Sequence, residues 1–235
     1  MADQHEVLVR DFGSAAAGYF GSVRIPATMI AGTSLGALFT FSRTDTKGKT
    51  QAELFVLRSY HIFVLTSFAL AFSTVIISTS ATVAMLHGRF DPRAESAYAL
   101  LRREFDFEFT MTRWMFLVAL FLFIGGITNR VIMEFDLLDK DKRFHLIALL
   151  STMVSVASNL LSYINRTLYC WKSLWVMTVH VVELLAEEAF TKKSPLQILS
   201  LLSAAVAALA MMKVALFSSE VQEGSGHTID RKKKL

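Results

Sequence analysis

From His61 to Leu86 the chain runs 26 residues without a single Asp, Glu, Lys or Arg. Few environments accept such a run. A helix rises 1.5 Å per residue and a bilayer's hydrocarbon core is about 30 Å thick, so about twenty apolar residues in helical form cross it. Every backbone polar group is then satisfied inside the segment, which is what a solvent without hydrogen-bonding partners demands. The rest of the chain repeats the pattern: apolar runs of similar length alternate with short stretches that hold nearly all the charge. Charged residues make up 19% of the 235 residues, against roughly 25% in an average soluble domain. This layout predicts an all-α fold, a polytopic transmembrane helical bundle of about five membrane helices (four to six), with interfacial amphipathic helices.

The expected spans are 25–42, 61–86, 114–133, 144–164 and 196–217. Residues 1–24 read as a polar N-terminal tail, and 218–235 as a disordered basic tail containing Gly224-Ser225-Gly226. Pro26 falls in the first turn of the first span, where its missing N–H is harmless. His87-Gly88 and Asp91-Pro92 stop the second span. Between 93 and 113, Phe105, Phe107 and Phe109 alternate with acids. A lone strand would have no pairing partner here, so the segment reads as an interfacial helix feeding the third span. No Gly or Pro occurs from Arg143 to Lys193. The fourth helix is therefore expected to continue past Asn165 and Arg166 into 173–190, a stretch read as an amphipathic surface helix because His180 and Glu183 raise the cost of inserting it.

Several small and polar groups stand out against this background. Gly32 and Gly36 form a GxxxG pair whose bare face lets another helix approach closely, within the chain or between chains. Ser67, Thr74 and Ser78 share one face of the second span. Such hydroxyls either bond to backbone carbonyls at a close helix contact or line a polar pore. Gly125 and Gly126, followed by Asn129 and Arg130, mark a loosened helix with a charge one turn on. Arg130 is expected to snorkel and pair with Glu134, or to face a polar cavity. Asn159 reads as interhelical glue, and His180 with Glu183 as a structural pair, since two ligands alone make a poor metal site. Cys170 is the one cysteine, which excludes an intrachain disulfide. Asn165-Arg166-Thr167 has the spacing of a glycosylation acceptor but abuts a membrane helix. Lys232 and Lys233 resemble a dilysine retrieval signal of endoplasmic-reticulum membrane proteins.

The functional classes narrow mainly by exclusion. The sequence holds no Gly-rich phosphate loop, HExxH, GxSxG or CxxC, so no enzyme, cofactor or metal is expected. The net charge of +4 is scattered over short connectors, which excludes a nucleic-acid-binding stripe. The N-terminus lacks the layout of a cleavable signal peptide. For five spans the basic residues divide evenly between the two sides, so they do not orient the chain. The expected surroundings are the lipid bilayer and either further copies of the chain or other membrane subunits. The expected role is a structural, scaffold or assembly subunit, with a homo-oligomeric pore as the alternative. In overall plan, short helices with a long extended fourth one, the chain is similar to calcium-release-activated channel subunits. It departs from them in having no acidic residue in 25–42 to form a selectivity ring.

Overall fold

The computed structural model describes residues 10–40, 50–88, 90–167 and 173–190, together with positions 202, 203, 205, 206 and 209. Nearly all of this is helical, in six helices: α1 (Gly13–Thr40), α2 (Gln51–Leu86), α3 (Ala97–Glu104), α4 (Asp106–Glu134), α5 (Arg143–Thr167) and α6 (Leu174–Phe190). Three of them, α2, α4 and α5, are long and apolar enough to cross a membrane. The helix α1 has the length but is diluted by glycine, serine and threonine. The chain divides into two compact units, Met1–Val181 and Val182–Leu235. In the second, the described residues are the last turns of α6 and the five helical positions from Leu202 to Leu209. Most of the expected 196–217 span, with Lys232, Lys233 and Cys170, lies outside the described residues.

The first unit is built on α1, α2 and α4. At one end, Ala16 and Phe20 of α1, Met85 of α2, Leu100 of α3, and Phe105 and Phe109 near the start of α4 form a buried aromatic core. That core makes α1 and α4 parallel, with α2 antiparallel between them. It also explains where α1 begins. Glycines at 13, 18 and 21 and a proline at 26 are poor helix signals, and the apolar pattern put the start at Ile25. The helix starts instead at Gly13, because Ala16 and Phe20 are fully buried and tertiary packing outweighs propensity. Pro26 thus lies in the helix interior, where it removes the bond to the Ser22 carbonyl.

A short antiparallel pairing of Arg10–Asp11 with Arg93–Ala94 ties down the entry to α1. The N–H of Phe12 donates to the Pro92 carbonyl at 3.0 Å, and Asp11 Oδ1 accepts from the N–H of Gly13 at 2.9 Å. Arg103 clamps the other strand, donating to the carbonyls of Asp91 (2.6 Å) and Arg93 (3.2 Å). The alternating phenylalanines resolve as helix: Phe105 and Phe109, four apart, both turn inward. The break between α3 and α4 falls at Phe105 (φ −134°, ψ 34°).

Each helix end has a visible cause. Thr50 and Glu53 form a reciprocal capping box at the start of α2, each accepting from the other's backbone N–H at 3.3 Å. The helix therefore begins ten residues before the uncharged run. Gly88, at φ +63°, terminates it. The end of α4 closes on Asp136 at φ +48°, with the N–H of Leu137 returning to the Ile132 carbonyl at 3.0 Å. One single-turn 3-10 segment, Lys140–Lys142, then leads into α5.

The described residues do not form the expected long fourth helix, and 168–172 lie outside them. α5 is described to Thr167, and the N–H of Leu174 donates to Asn165 Oδ1 at 3.0 Å. Nine residues along one continuous helix would stand about 13.5 Å apart. Asn165 and Ser173, whose Oγ accepts from Val176 N–H at 3.3 Å, cap a separate helix. The likeness in plan to calcium-release-activated channel subunits loses its extended helix with this break.

Candidate functional site

The hydroxyl face of α2 is a packing seam. Ser67, Thr74 and Ser78 are all fully buried. Ser67 Oγ donates across the interface to the Ala119 carbonyl of α4 at 2.8 Å. Thr74 and Ser78 bond back to their own helix, to the carbonyls of Leu70 (2.9 Å) and Val75 (3.1 Å). Burying a hydroxyl without a hydrogen bond is costly. These three find theirs inside the chain, and none of them lines the cavity described below.

Gly125 and Gly126 sit at a close approach of α4 to α2. A Cβ at Gly126 would lie 2.9 Å from Val64 Cγ2, and one at Gly125 would lie 3.0 Å from the Phe63 ring. Added at Gly32 or Gly36, by contrast, a Cβ would meet no atom within 4 Å. The tight glycine contact within the described residues is thus the Gly-Gly of α4 and not the GxxxG of α1.

Close by, the three helices line a partly open cavity of about 190 Å³. Thr33 and Ala37 come from α1, Tyr60 and Val64 from α2, and Phe123, Ile127 and Arg130 from α4. The fully buried Tyr60 ring passes between the helices, and its hydroxyl donates to the Ala37 carbonyl at 3.1 Å. The Arg130 side chain lies beside the same phenol and interacts with it electrostatically. One relay, Arg130 to Tyr60 to Ala37, thereby joins α4, α2 and α1. None of the ion pairs among the described residues joins Arg130 to the expected partner, Glu134. An i,i+4 neighbour is only one option for a long side chain, and the cavity offers a phenol that needs a donor. Asn129 is half-buried and does not line the cavity. Asn159, expected between helices, is exposed on α5.

Sequence reasoning missed a second polar node. His180 Nε2 lies 2.9 Å from Asp106 Oδ2, and Arg102 Nε lies 3.8 Å from Asp106 Oδ1. Trp114 Nε1 donates to Thr178 Oγ1 at 3.2 Å, and Met177 packs with Leu117 and Ile164. These contacts dock the first turns of α6 on α4. His180 was expected to pair with Glu183 along its own helix. The Asp106 partner is 74 residues away in sequence and no local spacing points to it. Among the described residues, no three His, Cys, Asp or Glu side chains are grouped to hold a metal ion.

Comparison with known proteins yields no relative: no family model matches the chain, and no curated protein or solved structure matches it significantly.

Proposed function

We propose that this chain is a non-enzymatic multi-pass membrane protein acting as a scaffold or assembly subunit of a membrane complex. The observation that carries this reading is α5. It is 25 residues long and apolar, yet no residue of its most apolar 18-residue window is buried within the chain. Phe144, Ile147, Val154 and Val156 are each at least half exposed along it. A helix of this kind is stable where lipid tails or neighbouring membrane helices cover it. Charged turns at the ends of α4 and α5 supply polar docking points outside the apolar zone.

The burial and internal bonding of Ser67, Thr74 and Ser78 favour this reading over a pore, because a conducting path needs hydroxyls that face water. The test is purification in detergent with mass measurement, followed by ion flux in liposomes. A silent protein that co-purifies with fixed membrane subunits is the expected result. A homo-oligomer that conducts, with conductance altered by Ser78→Leu or Arg130→Ala, would overturn it.

A further inference from the structure

We propose that the cavity between α1, α2 and α4 binds the phosphate of a membrane phospholipid through Arg130. The proposal uses the membrane placement argued above and does not depend on the scaffold role.

Position is the first argument. Arg130 lies four residues before the end of α4, about 6 Å along the axis. Ala37 is three residues from the end of α1. Tyr60 lies two residues after the exposed Arg58 and directly before the uncharged run of α2. All three mark the same end of the bundle, at the level where an apolar span meets head groups and where tyrosine and arginine are at home.

Chemistry is the second. A guanidinium carries five N–H donors in a planar fork, so it can hold the phenol and grip two oxygens of a phosphate at once. Tyr60 is itself fixed by its bond to Ala37, so the phenol beside the guanidinium is in place before any ligand arrives. Among the described residues that line the cavity, Arg130 carries a formal charge and none is an acid. Its field within the cavity therefore favours an anion. Val64, Phe123 and Ile127 supply an apolar wall for the carbons attached to the phosphate. The volume, about 190 Å³, corresponds to roughly six waters at liquid density. That suits a phosphate with its ester carbons, while the acyl tails remain in the bilayer.

The experiment uses the full chain, delipidated in detergent, with binding read by native mass spectrometry and by thermal protection. Phosphatidic acid is the ligand. Diacylglycerol, with the same tails and no phosphate, is the control, and inorganic phosphate is the competitor. Wild type should bind phosphatidic acid and ignore diacylglycerol. Arg130→Gln should weaken binding about tenfold to a hundredfold, the range expected for losing hydrogen bonds to a charged group. Ala37→Leu, which keeps the arginine and fills the space, should weaken it too and stands in if Arg130→Gln fails to fold. Arg143→Gln, outside the cavity, should bind as wild type. Equal binding by Arg130→Gln and Ala37→Leu, equal loss in Arg143→Gln, or equal binding of diacylglycerol overturns the proposal. Protection by inorganic phosphate as strong as that by the lipid shows a free anion site and overturns the lipid source. A chain that is monodisperse without detergent removes the membrane placement itself, whatever these variants do.

Discussion

Alanine at Gly126 should destabilise the protein although it improves helix propensity, and the structure sets the size of the effect. An ideal Cβ there lies 2.9 Å from Val64 Cγ2. Carbon atoms prefer roughly 3.5–4.0 Å, so the contact must open by about 0.6–1.1 Å. Val64 is only 2% exposed, and a β-branched residue in a helix has essentially one rotamer. Relief must then come from moving α2 against α4, which strains the 2.8 Å bond from Ser67 to Ala119. Overpacking of this kind costs about 1–3 kcal/mol, and alanine for glycine in a helix returns about 1 kcal/mol. The net is a loss of about 0–2 kcal/mol. Gly32→Ala is the internal control, because it has the same propensity gain and no Cβ neighbour within 4 Å. Propensity cancels between the two variants, which should therefore differ by the overpacking cost of about 1–3 kcal/mol. Gly125→Ala should fall between them, since the Phe63 ring it meets is half-buried and can turn. The assay is equilibrium unfolding in mixed micelles with increasing denaturing detergent. Adding Val64→Ala to Gly126→Ala removes the offending methyl and should recover stability beyond the sum of the single changes. If Gly126→Ala is as stable as Gly32→Ala, or the double variant shows no coupling, the close approach of α2 and α4 is wrong.

Three further outcomes follow from the polar contacts. Ser67→Ala should cost about 0.5–1.5 kcal/mol in the same unfolding assay, the usual net worth of one hydrogen bond; a neutral result would mean the bond to Ala119 is not formed. Thr110 is fully buried and its hydroxyl has no hydrogen-bond partner, so Thr110→Val should be neutral or stabilising by about 1 kcal/mol. A clear loss would instead show that the hydroxyl is bonded to an ordered water or a ligand. Asp106→Asn and His180→Ala should couple by roughly 1 kcal/mol in a double-mutant cycle, and each should speed amide exchange in the first turns of α6. Independent effects would detach α6 from α4.

What the sequence disclosed and what it hid divide along one line. Features set by local periodicity were legible: the uncharged run of α2, the stop at Gly88, and the small-polar stripe of Ser67, Thr74 and Ser78. Features set by contacts across the chain were not. The start of α1 depends on Ala16 and Phe20 meeting Met85 and Phe105, against the vote of three glycines and a proline. The separate start of α6 is announced by no Gly or Pro in the sequence; Asn165 and Ser173 cap it. Arg130 and His180 each had a plausible local partner, Glu134 and Glu183. Sequence spacing shows only such neighbours, whereas Tyr60 and Asp106 lie on other helices, 70 and 74 positions away. The cavity is the extreme case. Its seven residues come from three helices, and only Arg130 among them carries a chemistry that sequence alone could single out.

The two ends and the flank of the bundle obey different physics, which bears on the solvent of the whole. Around Phe20, Phe105 and Phe109 the chain packs as a water-soluble protein does, with aromatic rings meeting edge-on and sealed from outside. Along α5 the reverse holds. Phe144, Ile147, Val154 and Val156 expose 85%, 62%, 64% and 50% of their surface. Burying one such side chain fully is worth about 1.5–3 kcal/mol. Leaving half or more of all four in water would thus forgo several kcal/mol, a large part of the 5–15 kcal/mol that holds a typical domain together. A chain that folds this way is not paying that cost in water. This exposure accords with the proposed membrane placement, in which lipid tails or apolar helices of a partner would lie against α5. In that proposed setting Arg130, a few residues inside the end of α4 and lining a cavity with Tyr60, would lie near the level of phospholipid phosphates.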